Sequence, residues 1–190
     1  MLNKKEQQLL LSIARESIAR ALAGGRGKRK SEGMAIAEAD LAGPLGAPSG
    51  VFVSIHIGKD LRGCIGYIRS ELPLAQVVDD VAAKAATEDP RFPPMTQTEL
   101  ALATLEVSVL APLRQVKDIS EIEVGRDGLV IELSGRRGLL LPQVATEYGW
   151  DRETFLAHTS RKAGLPSDAW KIPEAKIYRF SAEIIEEKAP

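Results

Sequence analysis

The sequence predicts an α+β fold built on antiparallel sheet, and three observations carry that prediction. Short β-branched runs come in pairs joined by turn sequences, as at 51–57 and 61–68 around Gly58-Lys59-Asp60. Helical periodicity is confined to a few long segments. Strands and helices do not alternate one for one, as the βαβ units of a parallel sheet require. A chain of 190 residues with 44% hydrophobic and 27% charged residues has the composition of a globular protein that buries its own core without metal or disulfide.

Residues 4–23 read as a helix, with Leu11, Ala14, Ile18, Ala21 and Leu22 on one stripe and Leu10 and Ile13 beside it, ended by Gly24 and Gly25. Arg26, Lys28, Arg29 and Lys30 form a basic run that reads as a solvated loop. Residues 38–50 are an irregular connector containing Pro44 and Pro48. Pro73 opens a helix over 74–87, where Leu74, Val77, Val78, Val81 and Ala85 share a face. Residues 88–96 hold three prolines and cannot be regular structure. Strands follow at 102–110, 121–124, 128–133 and 138–141. A helix over 151–163 is capped by Asp151 and stopped by Gly164 and Pro166. The last strand, 176–187, places Tyr178, Phe180, Ala182 and Ile184 on one side, which is its expected buried face.

Composition removes several function classes. The net charge is −1, from 25 basic and 26 acidic residues, which argues against a dedicated nucleic-acid or anionic-membrane binder. No apolar run approaches the ~20 residues of a spanning helix, and the charged N-terminus lacks the apolar core of a signal peptide. One cysteine forms no internal disulfide and suits a reducing compartment, so the cytoplasm is expected. A phosphate loop is absent: Gly27-Lys28 has Leu22 where the first glycine belongs, and Arg29 follows. The GxGxxG and GxSxG patterns are absent too. Cys64, His56 and His158 are too few for closed zinc ligation, so no metal and no cofactor is expected.

What remains is Leu61-Arg62-Gly63-Cys64-Ile65-Gly66, where the cysteine lies between two glycines and beside an arginine. An extended strand puts Arg62, Cys64 and Gly66 on one face and Leu61, Ile65 and Tyr67 on the apolar one. A guanidinium beside the thiol favours thiolate, and Gly63 and Gly66 leave room for a ligand. The plainer reading is a buried cysteine acting as a small hydrophobe, with glycines marking a bulge.

The string LRGCIG is the namesake motif of the AMMECR family. Further strings resemble that family's other landmarks in order: DPRFPP (89–94), EVSVL (106–110), VGRDGL (124–129), GLLLPQVA (138–145), Gly149-Trp150, and KAGLP (162–166) with Trp170. The resemblance runs from about residue 50 to the C-terminus, and the chain is identified as a member of the family. It implies one AMMECR-type domain over 1–190, of two unequal lobes with the motif near a cleft between them. Archaeal and bacterial members are the closer likeness. In prokaryotes such proteins form part of an AmmeMemoRadiSam group, beside a Memo-like protein and a radical S-adenosylmethionine protein. The family's activity is not established, so the resemblance supplies no reaction. Archaeal relatives place a second cysteine before KAGLP; Ser160 stands there here, which counts against a dithiol cycle.

The expected site therefore comprises Cys64 as nucleophile or covalent carrier, with Arg62, Gly63, Gly66, Asp89, Arg91 and His56 around a small anionic or carbonyl ligand. His56, on the preceding strand, is the nearer candidate base; His158 reads as a surface or satisfied histidine. Loop 89–94 is either a lip of the site or a stiff connector with Phe92 plugging the core. Glu106 reads as a solvated strand carboxylate, and Trp150 and Trp170 as packing anchors. The alternative is a non-catalytic protein that docks a Memo-like or radical S-adenosylmethionine partner, and nucleic-acid binding through Arg26–Lys30 comes third.

Overall fold

The computed structural model describes residues 2–24, 41 and 43–188. The basic run at 26–30 and most of the connector before Gly43 lie outside the described residues. The chain forms two compact units, one of residues 1–109 with 183–190, the other of residues 110–182. Each contains a four-stranded antiparallel sheet, and the fold is α+β as the sequence predicts.

The first unit holds α1 (Lys4–Ala23), β1 (Gly50–Ile57), β2 (Asp60–Tyr67), α2 (Leu74–Thr87), α3 (Gln97–Leu102), β3 (Ala103–Leu110) and the returning strand β8 (Ala182–Glu186), with sheet order β2-β1-β3-β8. α2 packs against α1, β1 and β2. Val51, Val53 and Ile55 of β1 meet Val77, Val78 and Val81 of α2, all fully buried. Each such side chain contributes roughly 1.5–3 kcal/mol. The buried stripe of α1 is Leu10, Ile13, Ala14, Ser17 and Ile18: Ala14 and Ile18 lie on it as expected, Leu10 and Ile13 join them, and Leu11, Ala21 and Leu22 are only partly buried. A capping box at Thr96 and Glu99 starts α3, a helix absent from the sequence prediction although Thr-x-x-Glu is its ordinary signature.

The second unit holds β4 (Arg114–Gln115), β5 (Gly128–Leu133), β6 (Arg136–Leu140), α4 (Pro142–Glu147), α5 (Arg152–Lys162) and β7 (Lys176–Phe180), with sheet order β4-β7-β5-β6. Ser134 and Gly135 both have positive φ, so β5 and β6 are joined by the hairpin turn that matches strand twist. Ile122, Leu129, Ile131, Phe155 and Leu156 form its core. α5 begins on Asp151 as predicted.

Two expectations are corrected. Residues 121–124 are not a strand: an Asp118 capping box makes a short 3₁₀ turn over Ile119–Glu121, and Asp127 accepts from the Glu123 N–H. The single strand over 176–187 is two strands, β7 and β8, in different sheets, parted at Ser181. Phe180 of the expected face is buried, but the break shifts the rest of that face. Ile177 and Ile185 enter the two cores, whereas Ile184 is exposed. β8 is then pinned to the first sheet, where Glu187 accepts from Arg15 and from the Leu105 N–H. Among the described residues no helix is long and apolar enough to cross a membrane.

Close packing of α2 on β2 depends on Gly63, where a Cβ would lie 2.2 Å from the Ala85 carbonyl oxygen. Gly63→Ala is expected to cost at least about 2 kcal/mol, because backbone rather than a flexible side chain must move. Urea unfolding of the two proteins measures this; an unchanged midpoint would remove the claim.

Candidate functional site

β2 is an edge strand of its sheet. The β1–β2 hairpin pairs Ser54 with Cys64 and Ile55 with Gly63, and then His56 with Leu61. Arg62 is thus the extra residue of a β-bulge. The bulge breaks the strict alternation that would set Arg62 and Cys64 on one face.

Arg62 turns to α3. Its Nε donates to Glu99 Oε1 at 2.7 Å and its second nitrogen to the Pro93 carbonyl at 3.0 Å. The guanidinium holds the Glu99 carboxyl down at about 2. Glu99 therefore both caps α3 and neutralises the motif arginine.

The Cys64 backbone N–H points away from β1 and donates to Asp89 Oδ2 at 2.8 Å. Ser54 and Cys64 consequently form the kind of pair that exchanges no backbone bonds and brings its side chains closest. The Ser54 hydroxyl donates to Cys64 Sγ at 3.3 Å. Asp89 is buried and accepts three further bonds from Arg91, from its N–H at 3.1 Å, its Nε at 3.0 Å and a terminal nitrogen at 2.7 Å. Arg91, foremost, and the Cys64 N–H hold the Asp89 carboxyl at about 2. The same guanidinium makes a long 3.5 Å contact to the Cys64 carbonyl. Carboxylate and guanidinium together satisfy the exposed edge of β2 where a neighbouring strand otherwise would.

On balance the surroundings of the thiol work against its ionisation. Burial, above all, pushes the Cys64 thiol up, against the lowering effects of the Ser54 hydroxyl and Arg91; the Glu106 and Asp89 carboxylates push it further up. This reverses the sequence argument for a thiolate, because Arg62 is committed to Glu99. Nor do the glycines leave ligand space: a Cβ on Gly63 would strike the Ala85 carbonyl, and one on Gly66 the Phe52 ring and Val51 carbonyl. His56 lies opposite Leu61, further along the ladder than the Ser54–Cys64 pair.

Loop 89–94 is a built lip. Phe92 is half-buried between two guanidiniums, with Arg62 5.7 Å and Arg91 5.4 Å from its ring centroid. Pro93 and Pro94 are exposed, and Met95, not Phe92, enters the core. The structure thus gathers Arg62, Cys64, Asp89 and Arg91 in one region. It adds Ser54, Phe92 and Glu99, which sequence reasoning did not assign to the site. The Glu99 spacing from Thr96 was readable; its pairing with Arg62 was not. His158 lies in the other unit, stacked on Trp150. Among the described residues no group of three or more His, Cys, Asp or Glu is placed to hold a metal.

Three comparisons bear on these residues. The AMMECR1 family model matches residues 11–185. Protein MJ0810 of Methanocaldococcus jannaschii is 48% identical over 149 residues, covering 74% of this chain and 74% of that protein. A Thermofilum pendens protein is 42% identical over 205 residues, covering all of this chain and 93% of its own. The crystal structure of the uncharacterized protein PH0010 from Pyrococcus horikoshii matches with a TM-score of 0.86 at 37% identity, covering all of this chain and 95% of that one.

Asp89 and Glu99 are both held near 2 in the folded protein, below the ordinary 3.8 and 4.5. Their stabilisation is present above about pH 4 and is lost as pH falls toward 2. Stability measured by thermal unfolding should fall over that window, and Asp89→Asn should flatten the fall. Asp89→Ala at neutral pH should cost about 3 kcal/mol, since it leaves the Cys64 N–H without its acceptor and Arg91 without its counter-charge. An acid limb of equal slope in Asp89→Asn would contradict the assignment.

Proposed function

The chain belongs to the AMMECR1 family, and from that membership we propose that it is a docking protein whose LRGCIG edge and 89–94 loop form a recognition surface rather than a centre of covalent chemistry. One observation carries the reading: every reactive group of the motif is already committed internally. Arg62 is paired with Glu99 and Arg91 with Asp89, and burial pushes the Cys64 thiol up. What faces outward is a rigid, preorganised set of contacts. The Arg91 side chain is 53% exposed, Pro93, Pro94 and Leu61 are exposed, and the half-buried Phe92 ring lies beside two guanidiniums. Arginine and aromatic residues on a stiff scaffold are the groups that interfaces use most, because little entropy is lost in ordering them. A Memo-like protein or a radical S-adenosylmethionine protein is the partner the family resemblance implies. A lone cysteine kept as thiol suits the cytoplasm as the place of that encounter.

A second reading keeps Cys64 as nucleophile toward a small anionic or carbonyl ligand held by Arg91, with Gly63, Gly66, Asp89 and His56 nearby. The Ser54 hydroxyl at 3.3 Å from the sulfur favours it, because that bond would stabilise a thiolate once formed.

Two measurements separate the readings. Cys64 should react with iodoacetamide more slowly than free cysteine at pH 7, its rate rising only above the ordinary thiol range. Calorimetry against a purified Memo-like protein should show Phe92→Ala with Leu61→Ser weakening binding by about tenfold or more, and Cys64→Ser changing it by less than about threefold. Accelerated alkylation near neutral pH, or loss of binding in Cys64→Ser, would sink the docking proposal.

A further inference from the structure

The first sheet has two edge strands, and they are treated differently. The β2 edge is met by Asp89 and Arg91. β8 ends the sheet on the other side, away from the LRGCIG strand. The Glu187 N–H donates to the Leu105 carbonyl and the Ala111 N–H to the Ser181 carbonyl, both at 2.9 Å. These two bonds keep one antiparallel register, in which residues 181, 183, 185 and 187 turn their backbone groups toward β3. Ile184 and Glu186 therefore turn theirs outward. Both residues are exposed, and no strand, turn or loop backbone among the described residues bonds to them.

A groove of about 850 Å³ runs along this edge between β8 and α1. At one end the Leu2 N–H and the Gln7 amide donate to Glu183; at the other Arg15 pairs with Glu187. Helix and strand thus lie side by side along the whole groove. Leu11 and Ile184 give it apolar lining. Its charges do not balance. Arg15 and Glu187 neutralise each other, and Lys4 and Lys188 are exposed, with no ion pair among the described residues. Glu186 is the remaining acid of the lining. Ile185 and Glu187 face α1, so strand alternation turns the Glu186 side chain to the other face of the sheet. The α1 wall itself contributes cations and no carboxylate.

We infer that an extended acidic segment of a partner protein adds to β8 as a fifth strand, bonding the backbone of Ile184 and Glu186, with its carboxylates met by Lys4 and Lys188. Outward N–H and C=O groups at alternate residues select an extended chain, because a strand meets them in register and a helix, whose backbone is bonded internally, does not. The cationic α1 wall selects an acidic one. A segment of about five residues, roughly 17 Å long, matches the five residues of β8. A second copy of this chain fits less well. Two β8 edges paired antiparallel would bring two α1 walls together, each with Lys4 and Arg15 and no carboxylate of its own.

The test uses the whole chain. A display library of random peptides of about seven residues is selected on it, and the enriched sequence is synthesised with a fluorescent label. Enriched peptides should alternate β-branched and polar residues and carry Asp or Glu. At saturation, hydrogen exchange of the Ile184 and Glu186 amides should slow by about tenfold or more, which binding at LRGCIG does not produce. Ile184→Pro deletes an outward N–H that β3 does not use, a change edge strands tolerate, and should weaken binding by about tenfold or more. Lys4→Glu, at an exposed helix position, should weaken it by about threefold or more and reduce its salt dependence. Phe92→Ala with Leu61→Ser should leave it unchanged, so this site and the LRGCIG surface stand or fail separately. No enrichment, peptides that leave both amides exchanging as before, or equal binding to Ile184→Pro overturns the inference. Protection of those amides by self-association alone, seen as a dimer in sedimentation, assigns the edge to a second copy and overturns it too.

Discussion

One buried carboxylate organises the first unit. Asp89 stands where a further strand would pair with β2, and it meets the Cys64 N–H with the geometry a neighbouring carbonyl would use. A carboxylate removed from water is costly unless its lone pairs are filled. Arg91, two residues on, fills them with three bonds. The pair therefore does two things at once. It closes an edge that is otherwise a template for aggregation, and it anchors the loop between α2 and α3 against the motif strand. The loop's prolines keep it in place, because few backbone conformations are open to it.

The same arrangement explains why an unusual motif need not be a reactive one. LRGCIG reads like chemistry because a thiol, a guanidinium and two glycines are close in sequence. In the fold each has a structural duty. Gly63 admits the backbone of α2, Gly66 admits Phe52, Arg62 ties β2 to α3 through Glu99, and Cys64 presents its N–H to Asp89. A residue with such a duty is as constrained as a catalytic one, since a single added methyl or lost charge is felt by several elements together. Edge closure and close packing therefore already account for the residue types in this segment.

The second unit balances its charges differently. In chain order its strands fall between β3 and β8 of the first, and its core is small, centred on Phe155, Leu156 and Ile131. Trp150 does not enter that core fully. It is half-buried and stacks with both Tyr148 and His158, and the Tyr148 ring is open to solvent. Packing alone gives little reason to leave a phenol ring so open.

Local sequence was a good guide wherever local physics decided. The helices over 4–23, 74–87 and 151–163 and the hairpin at 51–68 were legible because periodicity, caps and turns act within a few residues. AMMECR membership was legible from motif strings. The division of 176–187 between two sheets was not, since either half alternates well and only distant partners choose its face. Nor was the state of the thiol. Strand phase alone put Arg62 beside Cys64, but a bulge in the pairing with β1 and a carboxylate 37 residues away redirected the arginine. By itself, then, the sequence determined the fold class, the main helices and the family, and singled out LRGCIG as the segment to weigh. Only the tertiary structure decided what that segment can do, because a thiol's protonation and a guanidinium's freedom depend on burial and on partners far along the chain.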